Sequence, residues 1–223
     1  MAKFECSAIL FDLDGVLVNS IASVERQWRK FAIRHKLDPD HVIHTAHGHR
    51  TVETVHILAP HLDALAEAAI VERDEIADTE GLVAIDGAAD LLASLPRDRW
   101  AVVTSGTRAL ATRRLAAAGL PQPGRMIPAD EVTRGKPDPE PYLKGANAIN
   151  FAPESCLVFE DAPSGIRAAK AAGMRVIGVL GTSTAAELHQ ADGLVGSLRD
   201  VRARMNGGQL EVDIPEVASA QAE

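Results

Sequence analysis

Residues 9–20 read ILFDLDGVLVNS, and in this stretch an apolar run leads directly into two carboxylates. Ile9, Leu10 and Phe11 are followed by Asp12 and Asp14. The uninterrupted apolar residues predict a strand over 7–12 that is buried on both faces of a sheet. Charged groups at the end of such a strand are costly to desolvate unless something compensates them. The two aspartates therefore indicate a functional site at this point.

From residue 85 onward, short apolar segments alternate with segments of helical pattern. Strands are predicted at 100–103, 126–127, 156–159 and 175–180, and helices at 107–118, 139–149 and 163–172. This alternation predicts an α/β fold, in which a doubly wound parallel sheet carries helices on both faces. The strand at 7–12 is expected to belong to the same sheet.

Residues 19–84 follow a different pattern. Val24, Trp28 and Phe31 have helical spacing, and no segment of this region has the alternation of a strand. We therefore predict an all-helical cap domain at 19–84, inserted into a core domain formed by 1–18 and 85–223. The hinges are expected near 16–20 and 80–86. The small, polar tail 218–223 is predicted to be disordered.

The bulk composition narrows the class of partner. The 223 residues include 23 Lys and Arg against 31 Asp and Glu, which gives a net charge of −8. This balance argues against nucleic-acid or anionic-membrane partners. No apolar run approaches the roughly 20 residues that span a bilayer, and the N-terminus lacks a signal-peptide pattern. We expect a cytoplasmic protein, a monomer or weak homodimer, with Cys6 and Cys156 as reduced, packed thiols.

Four stretches place reactive groups at predicted strand ends: FDLDG, VVTSG, RGKPDP and VFEDAPSG. Ligands of open parallel sheets bind beyond the carboxyl ends of the strands. Asp12, Glu160 and Asp161 are hard oxygen donors that suit Mg²⁺, which takes carboxylates together with water and phosphate. The sequence therefore predicts a magnesium site at this edge of the sheet.

The remaining reactive groups at the same edge suit an anion. Thr104, Ser105 and Lys136 are hydrogen-bond donors. A metal beside an anion pocket indicates a phosphoryl group. Taken singly, each group has a simpler interpretation, since Ser105 could cap a helix and most lysines lie on the surface. The prediction rests on all four stretches occurring in order.

The two aspartates then have separate chemical roles. Asp12 can attack phosphorus and form an aspartyl-phosphate, while Mg²⁺ and Lys136 offset the repulsion between the two anions. Asp14 lies two residues further along an extended strand and projects to the same side. It can protonate the leaving oxygen and later deprotonate the water that releases phosphate. A calcium loop is excluded because Gly15 stands at the fourth position of the stretch, not at the sixth.

In combination, the four stretches resemble the four motifs of the haloacid dehalogenase superfamily of phosphohydrolases. The resemblance covers nearly the whole chain and implies a Rossmann-like core with an inserted helical cap. It implies Asp12 as nucleophile and Asp14 as general acid/base, with the Asp14 backbone carbonyl also on Mg²⁺. Asp161 matches a direct metal ligand and Glu160 a direct or water-bridged one, whereas Thr104 and Lys136 match phosphate-binding positions, assisted by Ser105.

Longer matches narrow the resemblance to one branch of the superfamily. The stretches RWAVVTSGTR, GKPDPEPYLKGA, VFEDAPSGI and AHGHRTVETV are similar to phosphatases of glycerol phosphate, 2-deoxyglucose 6-phosphate and other sugar phosphates. The expected substrate is therefore a small phosphorylated sugar or polyol. The last stretch implies a cap loop that faces the substrate, so Arg50 is expected to contact it. The roles of His47 and His49 stay open.

Three alternatives to a phosphatase are compared with the sequence. Dehalogenases of the superfamily lack an aspartate at the position of Asp14. β-Phosphoglucomutases, which are the main alternative, carry a cap histidine about twelve residues after the nucleophile, where this chain has Val24. A degenerate, non-catalytic phosphosugar-binding protein would not need the complete set of reactive residues. The sequence favours hydrolysis.

Overall fold

The computed structural model describes residues 1–215. The tail 218–223, for which disorder is predicted, lies outside the described residues. The first half of the chain contains β1 (Ala2–Cys6), β2 (Ala8–Phe11), β3 (Val18–Asn19), α1 (Ile21–His35), α2 (Pro39–Ala46), α3 (Thr51–Leu58), α4 (Ala64–Ala77), β4 (Val83–Ala84) and α5 (Ala88–Ser94). The second half contains β5 (Trp100–Val103), α6 (Arg108–Ala117), β6 (Met126–Ile127), α7 (Glu140–Ala148), β7 (Cys156–Glu160), α8 (Pro163–Ala171), β8 (Arg175–Val179), β9 (Gly193–Val195), β10 (Arg202–Asn206) and β11 (Gln209–Ile214).

A six-stranded parallel sheet forms the centre of the molecule. Its strand order is β6-β5-β2-β7-β8-β9, and every neighbouring pair is parallel. Strand β2 is flanked by β5 and β7, so its apolar residues are buried on both faces. The predicted α/β fold is confirmed, and the carboxyl end of β2 comes between those of β5 and β7.

The two faces of this sheet pack against different elements. Side chains alternate along β2, so that Ile9 and Phe11 join one apolar cluster while Ala8 and Leu10 join the other. The first cluster includes residues of α5 and α6. The second includes residues of α7 and α8. Helices thus cover both faces, as a doubly wound sheet requires.

A second sheet contains strands that sequence reasoning did not predict. Strands β1, β11 and β10 form it in that order, and both pairings are antiparallel. Phe4, Leu210 and Val212 of this sheet pack into the first of the two apolar clusters. The final strands therefore close one side of the core against the N-terminal strand.

Four helices, α1–α4, fill the region that was predicted to be a helical cap. They have an apolar cluster of their own, which includes Trp28, Phe31 and Val55. We propose on this basis that residues 19–84 form the cap domain, and 1–18 with 85–223 the core domain. The name cap is used below for 19–84.

The cap is joined to the core through a two-stranded ribbon. Strand β3 pairs antiparallel with β4, with Val18 opposite Ala84 and Asn19 opposite Val83. The sequence predicted hinges at these positions but no strands, because a two-residue strand is too short to produce a periodic pattern. The chain therefore leaves the core and returns to it at adjacent points.

Two further observations bear on the predictions from composition. Within residues 1–215, every helix is too short or too polar to cross a bilayer. Cys6 and Cys156 are free and buried, and burial raises the pKa of Cys6 to about 12 and that of Cys156 to about 11. Both thiols are therefore held in the protonated, unreactive form.

The central strands should carry most of the stability of the fold. Leu157 of β7 is fully buried, so Leu157→Ala should lower the free energy of unfolding by roughly 2–5 kcal/mol. The same change at Leu65 of α4, which is 75% exposed, should alter it by less than about 0.5 kcal/mol. Urea denaturation of the two variants measures the difference. Equal losses would contradict the burial described for β7.

Candidate active site

A buried ion cluster lies at the carboxyl ends of β2 and β7. The Lys136 ammonium donates to Asp12 Oδ1 at 2.5 Å and to Glu160 Oε1 at 2.7 Å. All three side chains are at least nine-tenths buried. Burial opposes the charge of Lys136, but Asp12 and Glu160 outweigh that effect and raise the pKa of the lysine. Lys136 is therefore a fixed positive charge beside Asp12.

Glu160 is held by donors on both of its oxygens. Oε1 accepts from Lys136 and from the Tyr142 hydroxyl, the latter at 3.0 Å. Oε2 accepts from the backbone N–H groups of Asp161 and Ala162, each at 2.9 Å. A carboxylate offers about four lone-pair positions, and these four donors use them. The side chain is therefore fixed in orientation.

Asp161 is buried beside Asp12 and Glu160. Its Oδ2 accepts from the hydroxyl of Thr182, and Gly15 comes so close that a Cβ at that position would lie 1.9 Å from the same oxygen. Burial raises the pKa of Asp161 well above its usual range, and the carboxylates of Glu160 and Asp12 raise it further. Burial likewise raises the pKa of Asp12 to about 7 in spite of the lysine.

These three carboxylates fit a divalent cation. Asp12, Glu160 and Asp161 each offer an oxygen, and these oxygens lie within 4.8 Å of one another. One lysine compensates only one of the three charges, so the buried cluster has an excess of negative charge when ionised. Hard oxygen donors with such an excess are what Mg²⁺ requires. The oxygens of Glu160 already accept from Lys136, Tyr142 and two backbone amides. Asp12 and Asp161 are therefore the carboxylates that are freer to bind a metal ion.

Asp14 lies on the loop after β2 and is held from the side of α6. Its Oδ2 accepts from Arg114 Nη1 at 2.7 Å, and its other oxygen, Oδ1, is buried without a hydrogen-bond partner. The second terminal nitrogen of Arg114 lies 3.3 Å from Glu75 Oε2 of the cap helix α4. Burial raises the pKa of Glu75 to about 7. Asp14, Arg114 and Glu75 thus form a second ionic group that joins core and cap.

The predicted anion donors lie at the carboxyl end of β5. Thr104 is 3% exposed, and its hydroxyl oxygen accepts from the N–H of Gly106 at 3.1 Å. The Ser105 hydroxyl donates to the carbonyl of Gly48 in the cap at 3.2 Å. Thr107, and not Ser105, caps α6. The structure therefore brings Thr104 and Ser105 to the same sheet edge as Asp12.

A cavity of about 690 Å³ lies between this edge and the cap. Its core lining includes Asp12, Asp14, Thr104, Ser105, Glu160 and Asp161. Its cap lining includes Val24, Trp28, His44 and His47. Lys136 stands behind Asp12 and does not line the cavity. Six of the seven predicted site residues of the core thus line one cavity.

A glycine allows the cap loop to approach the core. The Gly48 carbonyl accepts from the hydroxyls of Ser105 and Ser164. The φ of Gly48 is +75°, and a Cβ there would lie 2.6 Å from the Ser164 Oγ, so a side chain at this position would be strained and crowded. His47 Nε2 lies 3.6 Å from Asp161 Oδ2, and burial lowers the pKa of His47. The cap loop therefore contacts the core beside the carboxylate cluster of Asp12, Glu160 and Asp161.

Arg50, which the sequence predicts to contact substrate, is bound to a core loop in this structure. Its guanidinium donates to the backbone carbonyls of Val132 at 2.9 Å and Thr133 at 3.0 Å. It also pairs with Glu53, whose carboxylate accepts from the N–H of Gly135 at 3.1 Å. Arg50 therefore lies outside the cavity lining and binds the loop that leads to Lys136. Backbone carbonyls of that loop compete for the guanidinium, and sequence spacing could not reveal them.

Four residues of the site were not predicted from sequence: Tyr142, Thr182, Arg114 and Glu75. Arg114 does leave a signal, because it falls on the buried face of α6 with Leu110, Ala111 and Leu115, and an arginine at an apolar helical position requires a partner. Glu75 is likewise one of the few buried residues of α4. Tyr142 and Thr182 leave no comparable signal.

Comparisons with known proteins agree with this geometry. A model of the haloacid dehalogenase-like hydrolase family matches residues 6–173. Hexitol phosphatase A of Escherichia coli (strain K12) is 40% identical over 201 residues, which cover 88% of this chain and 93% of that protein. Glycerol-1-phosphate phosphohydrolase 1 of Saccharomyces cerevisiae is 38% identical over 194 residues, covering 81% and 77% of the two chains.

Solved structures share the architecture. A hydrolase from Pseudomonas syringae superposes with a TM-score of 0.77 at 25% identity, over 85% of this chain and 92% of that chain. A β-phosphoglucomutase from Clostridium difficile superposes with a TM-score of 0.78 over 88% and 93% of the chains, but at 21% identity it shows the shared fold alone. With its carboxylate cluster at the end of β2 and its family match across most of the chain, this protein belongs to the haloacid dehalogenase-like hydrolases.

Proposed function

We propose that this chain is a Mg²⁺-dependent phosphatase that hydrolyses the phosphate monoesters of small sugars or polyols through an aspartyl-phosphate at Asp12. The observation that carries the proposal is Asp12 itself, held by Lys136 at the floor of a cavity that the cap covers. The names of its relatives, a hexitol phosphatase and a glycerol-1-phosphate phosphohydrolase, support this substrate class. Hexitol, hexose and glycerol phosphates, including 2-deoxyglucose 6-phosphate, are the candidates.

Asp12 is proposed as the nucleophile. Lys136 fixes Oδ1 of this carboxylate, which leaves Oδ2 to attack phosphorus. The Thr104 hydroxyl and the Ser105 backbone N–H would hold the phosphoryl oxygens, because the Ser105 hydroxyl is engaged by the cap loop. The fixed charge of Lys136 lowers the repulsion between the carboxylate and the phosphoryl group. These groups are positioned before the substrate arrives, so their alignment adds no cost during the reaction.

Asp14 is proposed as general acid and base. It lies two residues from the nucleophile and lines the same cavity. Its proton goes to the leaving alcohol oxygen as the P–O bond breaks. The resulting carboxylate then takes a proton from the water that attacks the aspartyl-phosphate, which restores Asp12 and releases phosphate. The docked cap limits the access of bulk water to this step.

Asp12, Asp161 and the backbone carbonyl of Asp14 would hold Mg²⁺, with Glu160 acting through water because its own oxygens are occupied. When bound, Mg²⁺ supplies positive charge that stabilises the phosphoryl oxygens in the transition state.

The cap side of the cavity favours hydrolysis over isomerisation. Val24 of α1 lines the cavity at the position where the mutases described above carry a histidine. A valine cannot exchange a proton with a bound sugar. The alternative of a β-phosphoglucomutase-like isomerase therefore lacks its cap residue in this chain.

Phosphate release from a panel of monoesters tests the proposal directly. We expect turnover in Mg²⁺ of at least one among hexitol, hexose and glycerol phosphates, and none by Asp12→Asn, because an amide cannot form the aspartyl-phosphate. Asp98→Asn is the matched control at an exposed aspartate and should keep full activity. Conversion of β-glucose 1-phosphate to glucose 6-phosphate without phosphate release, or activity in Asp12→Asn, would contradict the proposal.

Metal binding can be tested without activity. Mg²⁺ should raise the melting temperature of the wild type, because a ligand that binds the folded state stabilises it. Asp161→Asn should remove most of that rise. In EDTA the same variant should melt at or above the wild-type temperature, since it lacks one of three mutually repelling buried carboxylates. A Mg²⁺-induced rise of the same size in both proteins would exclude Asp161 as a ligand.

The contacts of Arg50 with the loop before Lys136 predict that this arginine orders the loop. Arg50→Ala releases the carbonyls of Val132 and Thr133, so trypsin should cleave faster after the exposed Arg134 in the same loop. Arg73→Ala, which removes an exposed cap arginine, should leave the cleavage rate unchanged. An unchanged cleavage rate in Arg50→Ala would show that the hydrogen bonds of Arg50 do not order the loop.

A further inference from the structure

One buried arginine beside the active site has no role in the mechanism described above. Arg114 comes from α6, and its side chain is 4% exposed. Burial opposes its charge, but Asp14 and Glu75 outweigh that effect and raise its pKa, so the guanidinium stays charged. A charge in this position requires partners. Its two carboxylate partners lie on different parts of the molecule, one in the core and one in the cap.

The contact with Asp14 fixes one oxygen of that carboxylate and not the other. Arg114 Nη1 donates to Oδ2 at 2.7 Å, whereas Oδ1 is buried without a partner. Asp14 also lines the cavity. The guanidinium is planar and rigid, so it restricts the rotation of the carboxylate to which it is bound. Arg114 therefore holds the carboxylate through Oδ2 and leaves Oδ1 without a hydrogen bond.

The contact with Glu75 connects the same guanidinium to the cap. Glu75 Oε2 lies 3.3 Å from Arg114 Nη2, and its side chain is also 4% exposed. Nε and Nη2 of Arg114 make no hydrogen bond of their own, so Glu75 constrains the guanidinium by charge at close range. If the cap moves away, the guanidinium loses the partner that holds its far side.

Resting on the proposed function, we propose that Arg114 is a positioning residue that orients Asp14 as general acid, and that Glu75 makes this orientation depend on the docked cap. The acid is then aligned only while the cap covers the substrate. Two other roles are possible for a buried arginine in this place. It could serve stability alone, or it could bind the phosphoryl group directly, and each has a different kinetic signature.

The leaving group separates these roles. A sugar or polyol alkoxide must be protonated as it leaves, whereas p-nitrophenolate leaves without a proton. The ratio kcat/KM reports the steps up to departure of the alcohol. A misaligned Asp14 therefore lowers kcat/KM for the best polyol or sugar phosphate of the panel but not for p-nitrophenyl phosphate. A loss of folded protein or of phosphoryl binding lowers both.

We expect Arg114→Gln to lower kcat/KM for the polyol or sugar phosphate about 100-fold, the lower range of general acid catalysis, and for p-nitrophenyl phosphate by less than about 3-fold. Glu75→Gln should give the same selectivity with a smaller loss, about 10-fold. Arg114→Lys, which keeps the charge but not the planar fork, should recover part of the activity. Arg113→Ala, at the exposed neighbour on the same helix, is the control and should match the wild type.

The double variant tests the connection through Arg114. In Arg114→Gln, the added change Glu75→Gln should cause no further loss, because the route from Glu75 to Asp14 is already broken. The added change also removes the buried charge of Glu75, which could prevent Arg114→Gln alone from folding. The double variant is therefore informative if the single variant does not fold. Equal losses on the two substrates, or additive losses in the double variant, would overturn the inference while leaving the phosphatase intact. A wild type inactive on both substrates would instead overturn the proposed function.

Discussion

The concentration of buried negative charge at the end of β2 is the constraint on which the rest of the structure depends. Three carboxylates, those of Asp12, Glu160 and Asp161, lie within reach of one cation, and one lysine holds two of them. The fold offsets the desolvation of this cluster with donors from several elements: Tyr142 from α7 and backbone amides after β7. The resulting excess of negative charge makes the site suited to a divalent cation.

The cap complements this cluster with contacts of a different kind. Its loop at Gly48 presents a carbonyl to two core hydroxyls, and Arg50 holds backbone carbonyls of the Lys136 loop. Neither contact touches the reacting atoms. The cap therefore covers the cavity through contacts with loops at the carboxyl edge of the sheet.

Sequence reasoning predicted the parallel sheet and the residues at its carboxyl edge, because buried strands and reactive residues at their ends leave a local pattern. It did not predict β1, β10 and β11, since their pairing joins residues from opposite ends of the chain. It predicted a substrate contact for Arg50 from the resemblance of the cap loop, and it did not reveal the contacts of Arg50 with the carbonyls of Val132 and Thr133, because backbone groups carry no sequence signal. Arg114 falls on an apolar helix face, but its partners could come only from the structure. Asp14 is 100 residues away in the sequence, and Glu75 lies on the cap helix α4.

The ribbon of β3 and β4 has a consequence for how such a protein diversifies. Because the chain departs from the sheet and returns to it at paired residues, the length and composition of the inserted helices are independent of the strand register below. Substitutions or insertions in the cap can therefore reshape the roof of the cavity while the carboxylates beneath it keep their places. One reaction can in this way be offered to many alcohols, with selection for a new substrate acting on the inserted part of the chain.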